Sequence, residues 1–414
     1  MNMKRMKREK LMKRIFAVLM MMTLLLAGCG TAPAPEKSPD EESDGETSDN
    51  APDDGEAADN ETPEGEDAQP GGGDIKIGAE FFDWTMPLGV DIKEMLDYAS
   101  NAVGCEIQYV SNDWDAEQAI TDVENLFSSG CQAVIVCNST DTQLLKMVEI
   151  AEKHNGKIFQ FFRTVSDETV KDEIMSSPGY GGQVHEDEYT VCYTLGKKMA
   201  EEGCKNVGIT NFTVGDITAE ARQKGFEDAF EETGVNVVAS TWDVTTGETA
   251  SEVTENYLAA YPEMDGIAVA GGSGEAFYAI QNTLDRYGKT KDVLLSTVDF
   301  YDEQTQDLQE GRLGMIAGGH WCDPFFSFML AYNYLSGAFE DSELPLEVNN
   351  NMIYLTSYED SQLFDKWFGG EEPPFNEEEI RALSITHNPE FKFENLYNAA
   401  KDLSLENVIE RHDK

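Results

Sequence analysis

The chain has 414 residues, 40% of them hydrophobic and 10% aromatic, with a formal net charge of -49. So acidic a surface argues against nucleic acid, whose phosphates require a basic face, and against adsorption to anionic lipid by charge alone. In chain order, residues 1–14 hold a basic cluster (Lys4, Arg5, Lys7, Arg8, Lys10, Lys13, Arg14) and residues 15–26 are almost wholly apolar. A basic start, a short apolar run and a small-residue exit mark a secretory signal; the run is shorter than the about 20 residues of a spanning helix. Residues 31–73 contain fifteen acidic residues against one Lys and no aromatic. Such a segment cannot bury enough apolar surface to offset chain entropy, and reads as an extended, solvated stalk.

Order begins at Asp74 and leaves about 340 residues, more than a single core usually serves. Residues 75–82 read as a strand, and residues 90–103 as a helix with Ile92, Met95, Leu96, Ala99 and Val103 on one face. A strand at 107–110 follows. Asp115 then caps a helix, with Gln118 at its third position, that buries Ala119, Ile120, Val123, Leu126 and Phe127. Strand 133–137, helix 141–153 and strand 157–162 complete the first set. The alternation restarts with helix 188–203, strand 207–210, helix 219–233, strand 237–240, helix 248–261, strand 267–270, helix 274–287 and strand 293–297. Two such sets predict two α/β lobes, each built of right-handed βαβ units on a parallel sheet. A helix at 324–335 and a charged tail interrupted by Pro373-Pro374 remain, the tail reading as short helices on the outside.

The stretch Leu26-Ala27-Gly28-Cys29 resembles the lipobox of bacterial lipoproteins. That resemblance implies cleavage before Cys29 and lipidation of its thiol, so that Cys29 becomes the anchored N-terminus. Six cysteines are left: Cys105, Cys131, Cys137, Cys192, Cys204 and Cys322. They show no paired Cys-x-x-Cys spacing, and several lie in apolar strand or helix contexts, so free buried thiols are expected.

From Asp74 to about Leu355 the chain resembles the type I periplasmic binding proteins of the sugar-binding group, related to the ribose- and galactose-binding proteins. The pieces that carry this are Ile75-Lys76-Ile77-Gly78 leading to Phe81-Phe82-Asp83, Gly130-Cys131-Gln132-Ala133-Val134-Ile135-Val136, and Phe161-Phe162-Arg163. In the second half they are Ala221-Arg222-Gln223-Lys224-Gly225-Phe226, Tyr261-Pro262-Glu263-Met264-Asp265-Gly266-Ile267, Thr297-Val298-Asp299, and Gly311 before Met315-Ile316-Ala317. The resemblance implies two Rossmann-like lobes with parallel sheets, joined by three hinge crossovers near Val184-His185, Gly318–His320 and Met352–Tyr354, with ligand in the cleft between them. The expected division is a signal (1–28), lipidated Cys29 with the linker (29–73), a first lobe (74–184 and 319–352), and a second lobe with a helical tail (185–318 and 353–414).

Sugars call for an apolar platform under their C–H faces and for planar polar side chains beside vicinal hydroxyls. On the resemblance, Phe82, Asp83 and Trp84 match the contact loop after the first strand, and Trp84 would be the platform. Asp299 matches a ligand carboxylate, the alternative being a helix cap. Arg163 would be a ligand fork or a partner in a loop salt bridge. Asn138 would touch ligand or cap the turn before Asp141. His320 and Trp321 border the cleft at a crossover, and Arg222 and Ser273 complete the expected set. Met86, Leu88-Gly89, Gly272-Ser273 and Glu220 depart from the pattern and weaken any ribose-like specificity.

The function so implied is an extracellular solute-binding lipoprotein that delivers a small polar ligand, a sugar by expectation, to an ABC permease. It would be monomeric, without a cofactor, and tethered to the outer face of a Gram-positive-like membrane. The alternative is a ligand sensor that reports to a membrane receptor or kinase. An enzyme is disfavoured. Gly271-Gly272-Ser273-Gly274-Glu275 lacks the last Gly of a nucleophile elbow and the third Gly of a dinucleotide fingerprint. The histidines show no paired metal spacing, and His185-Glu186-Asp187 reads as a solvated hinge rather than a chelate. A transcription regulator would need a basic DNA-binding module where the stalk stands.

Overall fold

The structure is a computed structural model that describes residues 75–368 and 373–412. The signal-like segment, Cys29 and the acidic linker lie outside the described residues. Two six-stranded sheets organise the chain. The first contains β1 (Lys76–Phe81), β2 (Glu106–Ser111), β3 (Ala133–Val136), β4 (Lys157–Phe161), β5 (Tyr180–Glu186) and β11 (Leu346–Asn350), in the order β11-β5-β4-β3-β1-β2 and parallel throughout. The second contains β6 (Asn206–Thr210), β7 (Asn236–Thr241), β8 (Gly266–Val269), β9 (Leu294–Val298), β10 (Leu313–Gly318) and β12 (Ile353–Leu355), in the order β12-β10-β9-β8-β6-β7. Only β12 runs antiparallel, beside β10. Both sheets follow the doubly wound order in which the chain reverses direction between the first and third strands, so each has a switch point at the carboxyl ends of its strands.

Strands covered on both faces read as continuous apolar runs, and alternate residues feed different cores. In β3, Ala133 and Ile135 join the core that also holds Phe81, Phe159 and Phe161. Val134 and Val136 point the other way, into a core with Leu126, Met147 and Val148. The helices that cover the first sheet are α1 (Pro87–Val103), α2 (Ala116–Ser128), α3 (Asp141–Lys153), α4 (Lys171–Ser176) and α10 (Cys322–Leu335). Asp115 accepts from the backbone N–H groups of Glu117 and Gln118, and Thr140 from that of Gln143, so short polar side chains start α2 and α3. The second sheet is covered by α5 (Glu188–Glu201), α6 (Ile217–Thr233), α7 (Gly247–Ala260), α8 (Glu275–Arg286) and α9 (Gln304–Glu310). All six described cysteines are free thiols, five of them buried. No described helix is long and apolar enough to cross a membrane.

One strand was hidden from periodicity. β5 carries Gly181 and Gly182 and no apolar alternation, yet it is almost wholly buried. Gly182 has φ 150, and a Cβ there would stand 2.2 Å from the carbonyl oxygen of Leu346, so close packing of β5 on β11 requires glycine. Because β5 pairs with β11 as far as Glu186, the first crossover falls at Asp187, slightly later than the sequence places it. The chain returns to the first lobe through residues 319–321, into α10, and leaves again through Asn351 and Met352, between β11 and β12.

The tail is the larger difference. It comprises α11 (Tyr358–Trp367), α12 (Glu377–Ala382), α13 (Phe393–Lys401) and α14 (Leu405–His412). The sequence assigns all of it to the second lobe, as an outer layer. In the structure α11 packs on α9 of the second lobe, whereas α12 packs on α1 and α13 on β11 of the first. Phe375, Ile380, Leu396 and Leu403 are buried in the same core as α10. The reason is apolar content: these positions offer α1 and α10 a surface to cover, and burying it is the dominant gain of folding.

Candidate functional site

A cavity of about 460 Å³ opens between the lobes at the carboxyl ends of their strands. The first lobe lines it with residues 138–141 after β3 and with Phe162, Arg163, Thr164 and Asp167 after β4. The second lobe contributes Gly215 to Thr218 and Ala221 at the start of α6, and residues 185–189 of the first crossover form its hinge side. A smaller hollow of about 400 Å³, around Thr164, Lys171 and Gln183, is lined by the first lobe alone and does not involve α6.

Asn138 is buried where β3 ends. Its Nδ2 donates to the carbonyl of Thr140, and its Oδ1 accepts from Gln160 Nε2 at 2.7 Å. Gln160 in turn accepts from the Tyr180 hydroxyl at 3.0 Å, so three neighbouring strands fix the amide that lines the cavity. Phe162 follows β4 with φ 65, and its ring meets His320 edge-on at 5.7 Å. Arg163 lines the cavity and donates Nη1 to the carbonyl of Phe162 at 3.1 Å. Among the described residues no carboxylate is paired with it, which leaves most of its fork to the cavity.

The expected contact loop divides. Asp83 turns inward on its own loop, where Oδ1 accepts from Thr85 N and Oγ1, and these bonds hold its carboxyl below the usual range. Trp84 is only 8% exposed; it lies edge-on to Tyr109, and its Nε1 donates to the carbonyl of Val110 at 2.7 Å. Phe82 is buried too, but its face is covered by Trp114, stacked at 4.2 Å and 7°. Trp114, 66% exposed, is the open indole at this end of the sheet. Sequence reasoning missed it, although a Trp in the polar run Asn112-Asp113-Trp114-Asp115, between a strand and a helix cap, was the available signal. Asp113 and Trp114 both have positive φ, which turns the loop back over Phe82.

Arg222, Asp299 and His320 come together in one charged cluster at the crossovers, joined by Glu186, Glu188 and Asp323; the cluster is largely buried, with Asp299 at its edge, its side chain 42% exposed. Arg222 forks onto Glu188 (Nε to Oε2 2.6 Å, Nη2 to Oε1 2.8 Å) and donates Nη1 to the carbonyl of Ala270. This two-point fork and the imidazole of His320 overcome burial and hold the Glu188 carboxyl well below its usual range. His320 Nδ1 lies 2.8 Å from Asp299 Oδ1, and its Nε2 lies 3.3 Å from Glu188 and 3.6 Å from Glu186. Burial alone would depress His320; the carboxylates of Glu186 and Asp299 lift it well above its ordinary value. Asp299, held by His320 and Arg222 against the effect of burial, stays below the usual range. Burial pushes Glu186 far up, helped by Asp323, which is itself raised by burial to about 6. Asp299 has φ 69, and a Cβ on Gly272 would reach within 2.6 Å of its Oδ2, so glycine at 272 makes room for this carboxylate.

Of the ten expected residues, Asn138 and Arg163 line the cavity directly. Arg222, Asp299 and His320 reach it through Glu186 and Glu188, which do line it. Ser273 is buried, its hydroxyl 3.5 Å from the carbonyl of Phe300. Trp321 faces the aromatic group of Phe300, Phe364 and Phe368. Glu186, in the run expected to be a solvated hinge, is buried because β5 continues through it.

Residues 81–321 match the protein family described as "Periplasmic binding protein domain". The chain belongs to the periplasmic binding protein family. Members of this family bind ligands rather than transform them, and this binding protein is accordingly not an enzyme. Its two-lobed α/β fold is shared by solved solute-binding proteins. An ABC transporter periplasmic solute-binding protein from Actinobacillus succinogenes 130z with bound D-allose is 18% identical, with a TM-score of 0.62 over 70% of this chain and 99% of that one. An ABC transporter solute-binding protein from Bacillus halodurans C-125 with bound myo-inositol is 19% identical, with a TM-score of 0.59 over 71% and 98%. A periplasmic ribose ABC transporter protein from Conexibacter woesei DSM 14684 is 12% identical, with a TM-score of 0.61 over 70% and 95%. No curated protein matches this binding protein by sequence.

Proposed function

We propose that this protein captures a sugar or related polyol outside the cell and delivers it to an ABC importer, held at the membrane face by a lipid on Cys29. The observation that carries the reading is the cavity between the lobes. It lies at the carboxyl ends of two parallel sheets, where open α/β sheets bind their ligands, and its volume suits a small molecule. Asn138 and the Arg163 fork, which has no carboxylate partner among the described residues, offer planar hydrogen-bonding groups, the chemistry that vicinal hydroxyls need. At the rim of the first sheet Trp114, backed by Phe82, offers a flat apolar face for sugar C–H groups. Capture would work by hinge closure over the crossovers, which buries the ligand and changes the surface shown to a permease. The D-allose and myo-inositol complexes of proteins with this fold support a polyhydroxylated cargo.

The test is a thermal-shift and calorimetric screen of the protein against monosaccharides, inositols, amino acids and nucleosides. A ligand at 1,000 times its dissociation constant adds about 4 kcal/mol to stability. A shift with one sugar or polyol class, lost in Arg163→Ala, supports the reading. A shift confined to amino acids or nucleosides refutes the sugar while keeping the binding protein.

A further inference from the structure

The charged cluster at the crossovers has a feature that ligand capture does not require. Glu186 is buried, its side chain 1% exposed, and neither of its carboxylate oxygens accepts a hydrogen bond. Ionised, a carboxyl that deep without donors is costly unless a cation faces it, and without one it keeps its proton. Four carboxyl groups, Glu186, Glu188, Asp323 and the partly exposed Asp299, gather around one permanent cation, Arg222, and one imidazole, His320, so the cluster needs either retained protons or a further cation. Arg222 is spent on Glu188 and on the Ala270 carbonyl.

We propose that Glu186, Glu188 and His320 form a binding site for a divalent transition-metal ion of the Zn2+ kind. Two distances and one upper bound carry this. His320 Nε2 lies 3.3 Å from Glu188 Oε1 and 3.6 Å from Glu186 Oε1, and the three ligand atoms lie within 4.8 Å of one another. A tetrahedral ion bound at about 2.0–2.2 Å holds its ligand atoms roughly 3.3–3.6 Å apart, so the two short edges already have the required length. Asp299 Oδ1 lies 2.8 Å from Nδ1 as an ion-pair contact without hydrogen-bond geometry, and a small turn of either side chain would make it the carboxylate that orients the ring. Among the described residues Arg222 Nη2 also approaches Nε2, at a long 3.4 Å, and an ion would displace the Nε2 proton and replace that contact. Three protein ligands leave a fourth position for water or a ligand hydroxyl, and Glu186 and Glu188 both line the cavity. The donors come from β5, α5 and the second crossover, so the ion would tie two of the three connections between the lobes together.

The test uses the full-length, untagged protein stripped with chelator and titrated with Co2+, then with Zn2+ in competition. The expected result is a single Co2+ per chain with the intense visible absorption of a tetrahedral site, displaced by Zn2+. Glu186→Gln, close in shape to the native residue, and His320→Ala should abolish that absorption. Asp299→Asn should keep it and weaken binding by about 10–100-fold, as loss of an orienting carboxylate does. Circular dichroism of each variant separates loss of a ligand from loss of the fold. Absence of a tetrahedral Co2+ spectrum in the native protein overturns the proposal, since protons would then balance the cluster. So does a spectrum that survives in folded Glu186→Gln, which would place the ion among other acidic groups of the chain.

Discussion

Glu80 offers the sharpest test of how the first lobe is held. It lies in β1, wholly buried; Oε1 accepts from Asn112 Nδ2, while Oε2 has no partner. Burial raises its carboxyl from 4.5 to about 8, the bond from Asn112 opposes the shift, and the nearby carboxylate of Asp122 adds to it. At neutral pH the folded protein therefore keeps this proton, whereas the unfolded chain releases it. The folded state binds more protons between the two values, so stability is full below pH 4.5 and falls as pH rises toward 8. At about 1.4 kcal/mol per pH unit, the loss from Glu80 alone between pH 5 and pH 8 is roughly 3 kcal/mol. Glu80→Gln is neutral throughout and cannot show it. Urea unfolding of both proteins at pH 5, 6, 7 and 8 should give stability curves that diverge by about that amount in favour of the variant as pH rises. Parallel curves would mean that Glu80 is ionised in the folded lobe, and would refute the account.

Trp84→Ala should cost about 3–5 kcal/mol of stability through the cavity it leaves, read by urea unfolding. Trp114→Ala should leave stability nearly unchanged but weaken sugar binding by about tenfold, or 1.4 kcal/mol, by calorimetry; equal effects of the two changes would undo the distinction between core and rim. Arg222→Ala strands the buried Glu188 carboxylate and should cost about 3–5 kcal/mol in the same unfolding assay. Gly182→Ala forces a methyl against the Leu346 carbonyl and should cost about 1–3 kcal/mol, where a neutral result would show that β5 can move off β11.

Much of the lobe architecture was legible because a doubly wound fold writes itself in alternating periods. The run Ala133-Val134-Ile135-Val136 is continuous because both its faces are covered, and Asp115 announces the helix it caps. β5 escaped for an equally physical reason: its glycines serve backbone approach and leave no side-chain pattern. The site was legible only in part. Asn138 and Arg163 follow strands of clear identity and reach the cavity. Trp84 and Trp114 could not be ranked from the sequence, because which indole is buried depends on whether β2 lies beneath it. The charged cluster was least visible of all. Glu188 and His320 stand 132 positions apart and meet only because two separate crossovers run side by side.

The tail gives the hinge a mechanical character that three crossovers alone would lack. Trp321, on the second crossover, packs against Phe364 and Phe368, and Asn351, on the third, is bonded to Ala400 and Leu403. α14 grips α12 through Arg411 and His412 on Glu379, while its His412 ring meets Trp367 of α11 on the other lobe at 5.3 Å. In the proposed hinge closure, rotation of one lobe against the other would slide α14 over α11, so the tail would load the joint like a clutch through a contact remote from the cavity.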